Sequence, residues 1–111
     1  MAQQFHSIVV DIAKLRDYCL SEVHLRGRHK ARVFRSKLGL TSADAQLLRR
    51  ALLDAASDPS AEFIAGEADE YGRRYVLDFR MVTGAGTATL RSTWIVLTRE
   101  NVLRLTSCYV L

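Results

Sequence analysis

Tyr75-Val-Leu-Asp-Phe-Arg-Met81, Thr83-Gly-Ala-Gly-Thr87 and Thr89-Leu-Arg-Ser-Thr-Trp-Ile-Val-Leu97 form the stretch on which the fold turns. Tyr75, Leu77, Phe79 and Met81 recur every second residue and so line one side of an extended chain. The glycine-rich segment then reads as a turn joining two antiparallel strands. Thr98 to Asn101 is a second turn, and Val102 to Val110 a last strand. On that strand strict alternation puts Leu103, Leu105, Ser107 and Tyr109 on one side and Arg104, Thr106, Cys108 and Val110 on the other. Ala61 to Ala65 adds a possible short edge strand.

Upstream of Asp58-Pro59-Ser60 the period changes. Ile12, Leu15 and Cys19 recur at helical spacing after Asp11, a suitable N-cap. Ala31, Phe34 and Leu38 do the same over Arg28 to Leu38, with Gly39 placed as a left-handed terminator. Thr41-Ser-Ala-Asp44 has the form of a capping box before a third helix with Leu48, Leu52 and Ala55 inward, and Pro59 stops that helix. Ser7 to Val10 reads as a short strand or a helix lead-in, and Ser21 to Gly27 as a loop carrying His24. The expectation is a single α+β domain over 1–111, helical over about 11–57 and sheet over 61–111. Two or three N-terminal helices pack on one face of a three- to four-stranded antiparallel meander, and the other face is left for a ligand.

The chain has 111 residues, 49% hydrophobic and 25% charged, with a net charge of +4, ordinary values for one globular unit. It contains no run long and apolar enough to cross a membrane, and its opening lacks the pattern of a secretory signal. Cys19 and Cys108 are far apart in sequence and fit neither a disulfide scaffold nor a zinc motif; both are expected reduced and buried. His6, His24 and His29 have no metal-ligand spacing, so no metal or other cofactor is expected.

Charge is uneven. Residues 1–50 hold ten basic against four acidic residues, whereas 51–111 hold six against eight. His24 to Lys37 carries six Lys or Arg, two His and no acid, a local field suited to a polyanion. Gly27 allows a close backbone approach, and Lys30 falls in the first turn of a helix, where free N–H groups favour an anion. Those groups, Lys30 and Arg28 together could hold a phosphate, with His24 just upstream of it.

The residues His24, Gly27, Lys30, Ala31 and Phe34, then Leu38-Gly39-Leu40, Tyr71-Gly72, Tyr75 and Asp78, Arg91, Ser92 and Trp94, and finally Leu105, Ser107 and Tyr109 make a longer pattern. It resembles an uncharacterised bacterial domain. That domain occurs as the C-terminal module of polymorphic and contact-dependent inhibition toxins, in phage head-morphogenesis proteins, and as stand-alone genes beside probable antitoxin genes. The resemblance spans about residues 12 to 110. It implies similarity to the barnase, EndoU, colicin-nuclease and RelE group of metal-independent ribonucleases, with transfer or messenger RNA as substrate and an acidic immunity or antitoxin protein as partner. The setting it implies is the bacterial cytoplasm, or the cytoplasm of a target cell reached as part of a larger toxin. RNA brings its own nucleophile, so such a site needs proton carriers and positive charge at the phosphate. On that resemblance His24, Lys30, Ser92, Ser107 and Tyr109 are the candidate catalytic residues, His24 as a proton carrier, Lys30 as a charge stabiliser and Tyr109 as a donor, with the two serines orienting phosphate oxygens. Arg26, Arg28, His29, Arg32 and Arg35 are candidate RNA contacts, and Trp94 a candidate for stacking a base. Serine stands at 92 and 107 where the pattern has threonine, and Leu25 follows His24 where proline is usual. The alternative is a non-catalytic module that binds nucleic acid or a partner protein, needing only the basic surface.

Overall fold

The computed structural model describes Phe5 and residues 7–111; His6 lies outside the described residues. Strand β1 (Ser7–Val9) leads into α1 (Ile12–Lys14), which continues as a π-helical turn over Leu15–Cys19. Asp11 caps α1 by accepting the Ala13 N–H at 2.9 Å. Helix α2 covers Arg28–Leu38 and α3 covers Ala45–Ser57. The strands are β2 (Ile64–Ala68), β3 (Gly72–Thr83), β4 (Gly86–Leu97) and β5 (Val102–Val110).

Local chemistry places the helix ends. Gly39 sits at φ 68°, and its N–H and that of Leu40 return to Arg35 and Phe34, closing α2 as a left-handed cap requires. Thr41 and Asp44 exchange the reciprocal bonds of a capping box ahead of α3. Ala31, Phe34 and Leu38 of α2 are buried with Leu48 and Leu52 of α3, and Ala56 takes the inward place expected of the half-buried Ala55.

The sheet runs β1-β5-β4-β3-β2. The α+β arrangement is as expected, but the sheet has five strands and is mixed. Ser7–Val9 pairs in parallel with Val102–Arg104 at one edge, and the β2 edge strand begins at Ile64. Leu77, Met81, Leu90, Trp94, Leu103 and Leu105 face the helices in one core with Leu15, Phe34 and Leu48. No helix among the described residues is long and apolar enough to cross a membrane.

One departure from strict alternation bears on function. Thr93 pairs with Ser107 but Trp94 pairs with Leu105, so β5 carries an extra residue, Thr106, opposite β4. Such a bulge reverses the parity of everything after it. Leu103 and Leu105 therefore share the core face with Cys108, and Tyr109 turns to the opposite face, across from Arg91. The shared side expected for Leu105 and Tyr109 is thus corrected by one inserted residue.

Candidate functional site

The start of α2 is shaped by its neighbours. His24 Nδ1 accepts the N–H groups of Arg26 (3.1 Å) and Gly27 (3.2 Å), and the His24 carbonyl accepts the Arg28 N–H at 2.9 Å. Nδ1 thereby ties together the turn that leads into α2. A neutral ring held this way carries its hydrogen on Nε2. Taking up a proton requires Nδ1 to release both backbone groups. The ring stands edge-on to Tyr18 of the π-helical turn, with centroids 4.6 Å apart. Gly27 is needed here because a Cβ would lie 2.5 Å from the Tyr18 carbonyl oxygen.

From this first turn the exposed Lys30 places its Nζ 4.4 Å from the centroid of the Tyr109 ring, a cation–π contact worth about 0.5–1 kcal/mol at an exposed site. Tyr109 is half-buried on β5 and pairs across the sheet with Arg91, which pairs in turn with Asp78. Arg91 Nε and Nη2 reach the two Asp78 carboxylate oxygens at 2.9 and 2.8 Å. This two-point bond first, against a smaller effect of burial, holds the Asp78 carboxyl below its ordinary range. The same bond, helped by the Tyr109 hydroxyl, holds the Arg91 guanidinium more firmly charged. Lys30, Tyr109, Arg91 and Asp78 thus form a row from α2 across three strands.

The neighbouring row carries hydroxyls. Thr93 and Thr106 are 2.7 Å apart through their Oγ1 atoms, and Thr93 also reaches the Ser107 carbonyl at 3.3 Å. The bulge brings both threonines to the Arg91 side of the sheet. Ser107, half-buried and two residues before Tyr109, pairs across the sheet with Thr93. Cys19 and Cys108 are both free and buried. A hydrogen bond from Cys108 draws the Cys19 thiol down to about 7 against the opposing effect of burial. The same bond and burial push Cys108 well up.

Two expected site residues lie elsewhere. Trp94 is fully buried in the core, so it cannot stack on a base. Ser92 is equally buried; its Oγ donates to the Leu77 carbonyl at 2.7 Å and accepts the Trp94 indole N–H at 2.8 Å. That hydroxyl completes the hydrogen bonding of a buried indole and cannot reach a phosphate. Thr93, one residue on and facing the other way, presents the hydroxyl that Ser92 was expected to supply.

Lys30 and Tyr109 are brought together. His24 stands at the start of the same helix, Ser107 lies along the same strand, and Arg26, Arg28, His29, Arg32 and Arg35 are exposed around them. Arg35 is bonded to Glu22 at 3.2 Å. Among the described residues no acidic group lies within ion-pair distance of Arg26, Arg28, Lys30 or Arg32. Sequence reasoning left Arg91, Asp78, Thr93, Thr106 and Tyr18 out of the site. Only Asp78 and Arg91 had a signal, as letters of the longer pattern. Among the described residues, no three His, Cys, Asp or Glu side chains come together as a metal site requires.

Residues 2–111 match the family described as Domain of unknown function (DUF6883), and the chain belongs to that family. Comparison of the sequence with curated proteins gives no match. Among solved structures, a chain of a contact-dependent growth inhibition toxin–immunity protein complex from Klebsiella pneumoniae 342 is similar. The TM-score is 0.71 at 15% identity, covering 93% of this chain and 99% of that one. At that identity the likeness is one of fold.

Proposed function

We propose that this member of the DUF6883 family is a toxin-type module that cleaves RNA, with transfer or messenger RNA as substrate and the RNA's own 2′-hydroxyl as nucleophile. The observation that carries the reading is the meeting of two cations, Lys30 and Arg91, at Tyr109, on a sheet face turned away from the core. Positive charge fixed where a phosphorane gains negative charge is the main requirement of such a reaction. Lys30 supplies it, and Arg91, its charge balanced by Asp78, adds oriented N–H donors. The Tyr109 hydroxyl gives its proton to the departing 5′-oxygen and regains one from solvent, while the proton of the attacking 2′-hydroxyl passes to water or, where His24 carries protons, to its ring. Thr93 and Thr106 orient non-bridging oxygens, and the basic residues of α2 hold the flanking backbone.

His24 has two possible duties, and its geometry separates them. As a structural cap it needs only an acceptor at Nδ1. As a proton carrier it must exchange that arrangement for the other tautomer. His24→Asn preserves an acceptor and removes the titrating ring, so it keeps activity in the first case and loses it in the second.

The fold shared with a chain of a toxin–immunity complex supports the toxin setting, and with it an acidic immunity or antitoxin partner that masks the basic face. The test is induced expression in bacteria with total RNA analysed on a gel. Wild type is expected to arrest growth and degrade a defined RNA class, and Lys30→Ala to do neither. Intact RNA and normal growth on wild-type expression would overturn the reading. A non-catalytic binding module is the second reading, favoured by one observation. Ser92 and His24 Nδ1, both expected to do chemistry, are engaged within the fold itself.

A further inference from the structure

Two nucleophilic side chains have no part in the site at Tyr109. Cys19 ends the π-helical turn, where it and Leu15 are the buried residues. Cys108 lies far along the chain on β5, and the bulge at Thr106 turns it inward with Leu103 and Leu105. Both sulfurs therefore enter one buried cluster, at the place where the π-helical turn packs on β5. There the two thiols meet, hydrogen-bonded and not joined.

A single buried thiol serves as a small apolar filler, whereas two in contact have a further chemistry. They are too few to hold a structural zinc, which takes four ligands, and among the described residues no third ligand joins them. Their environments make them unequal. The Cys108 thiol first, against burial, and then the Cys108 N–H and the Lys14 charge bring the Cys19 thiol down to about 7. Cys108, donor of that bond in a buried place, is held well up and keeps its proton. The thiolate is the form that attacks an oxidant.

We propose that Cys19 and Cys108 are a modification site, closed to an intrachain disulfide by hydrogen peroxide and reopened by a dithiol. The Cys19 sulfur attacks one peroxide oxygen and the O–O bond breaks. The departing hydroxide takes up the proton that Cys19 released and becomes water, leaving Cys19 as a sulfenic acid. The Cys108 sulfur then attacks the Cys19 sulfur, so that the S–S bond forms and the S–O bond breaks, and the hydroxide leaves with the Cys108 proton as a second water. Two thiols lose two electrons and the peroxide gains them. Peroxide is close to water in size and needs a smaller opening of the π-helical turn than a bulky alkylating reagent does. The bond joins the two segments that shape the start of α2. Tyr18, next to Cys19, stands against the His24 ring and sets its carbonyl against Gly27, and Tyr109, next to Cys108, lies under Lys30. The inference stands whether or not the chain cuts RNA.

The test treats the reduced full chain with hydrogen peroxide at neutral pH, blocks remaining thiols with N-ethylmaleimide in denaturant, and maps the cysteines by mass spectrometry after trypsin. The mass should fall by two hydrogens with no maleimide added. Peptides 17–26 and 105–111 should appear as one species that dithiothreitol separates, from a protein that stays monomeric on a non-reducing gel. Cys108→Ser and Cys19→Ser each keep a hydrogen-bonding group in place; Cys19 in the first should take up oxygen at least about tenfold faster than Cys108 in the second, as their thiolate fractions require. Where a serine variant fails to fold, the wild-type map alone decides. Recovery of both cysteines as maleimide adducts, a link between chains, or oxygen added to either cysteine without a link would overturn the proposal. Faster oxidation of Cys108 than of Cys19 would overturn the order of attack.

Discussion

Replacing Ser92 by alanine separates structure from chemistry at the position where sequence and structure disagree most. The Ser92 hydroxyl is sealed from solvent between the Leu77 carbonyl at 2.7 Å and the Trp94 indole N–H at 2.8 Å. Ser92→Ala leaves the indole N–H buried without an acceptor, at a cost of about 1–3 kcal/mol. A chain of this length loses roughly 4 °C of melting temperature per kcal/mol, so the midpoint should fall by about 4–12 °C. Thr93→Val removes the half-buried outward hydroxyl and its bond to Thr106 instead, and should cost about 0.5–1 kcal/mol, since the Thr106 hydroxyl it leaves is exposed to water. Thermal unfolding by circular dichroism, paired with RNA cleavage at a temperature where both variants are folded, gives the comparison. Ser92→Ala should melt earlier and cut normally; Thr93→Val should melt closer to wild type and cut poorly. The opposite pattern, wild-type stability with lost cleavage in Ser92→Ala, would refute the assignment of Ser92 to the core.

Gly27→Ala should destabilise the chain and slow any reaction at Lys30, because the added methyl meets the Tyr18 carbonyl oxygen at 2.5 Å; denaturant unfolding and activity assays read both effects. Asp78 has a folded-state carboxyl held below its ordinary value by Arg91. Its contribution is therefore present above about pH 4 and lost as pH falls through the lower folded value. Asp78→Asn should flatten that part of the acid-unfolding curve, seen by fluorescence of Trp94. Binding of duplex RNA should weaken with salt at a log–log slope of about −3 to −4.5, as expected when three to five phosphates are neutralised. Cys19 and Cys108, 2% and 1% exposed, should resist a thiol reagent in the native protein and react on unfolding.

The helices and the meander were legible because each rests on local rules. Gly39, the Thr41–Asp44 box and Pro59 mark helix ends whatever the rest of the chain does. The parallel β1 was harder to read, since Ser7–Val9 gains its identity only from its pairing with Val102–Arg104, distant in sequence. In the site, Lys30 and Tyr109 were found as residues but not as a pair. The bulge at Thr106 decides which way Tyr109 points, and nothing in a period of two announces an extra residue. The same uncertainty of facing turned Ser92 and Trp94 inward where a ligand role was expected. Arg91 and Asp78 were missed because their meaning lies in register: only cross-strand pairing sets Asp78 beside Arg91 and Arg91 beside Tyr109.

If Lys30, Arg91 and Tyr109 form a site where RNA attacks itself, the product ends carry its signature. Purified protein is incubated with bacterial transfer RNA and the ends are analysed by mass spectrometry. Removing a proton donor typically costs about 10²- to 10⁴-fold in rate. Products should end in a 2′,3′-cyclic phosphate, a 2′-deoxy site should not be cut, and Lys30→Ala and Tyr109→Phe should each lose activity by that order with melting temperatures near wild type. Cleavage that leaves other ends, or full activity in both variants, would contradict that assignment.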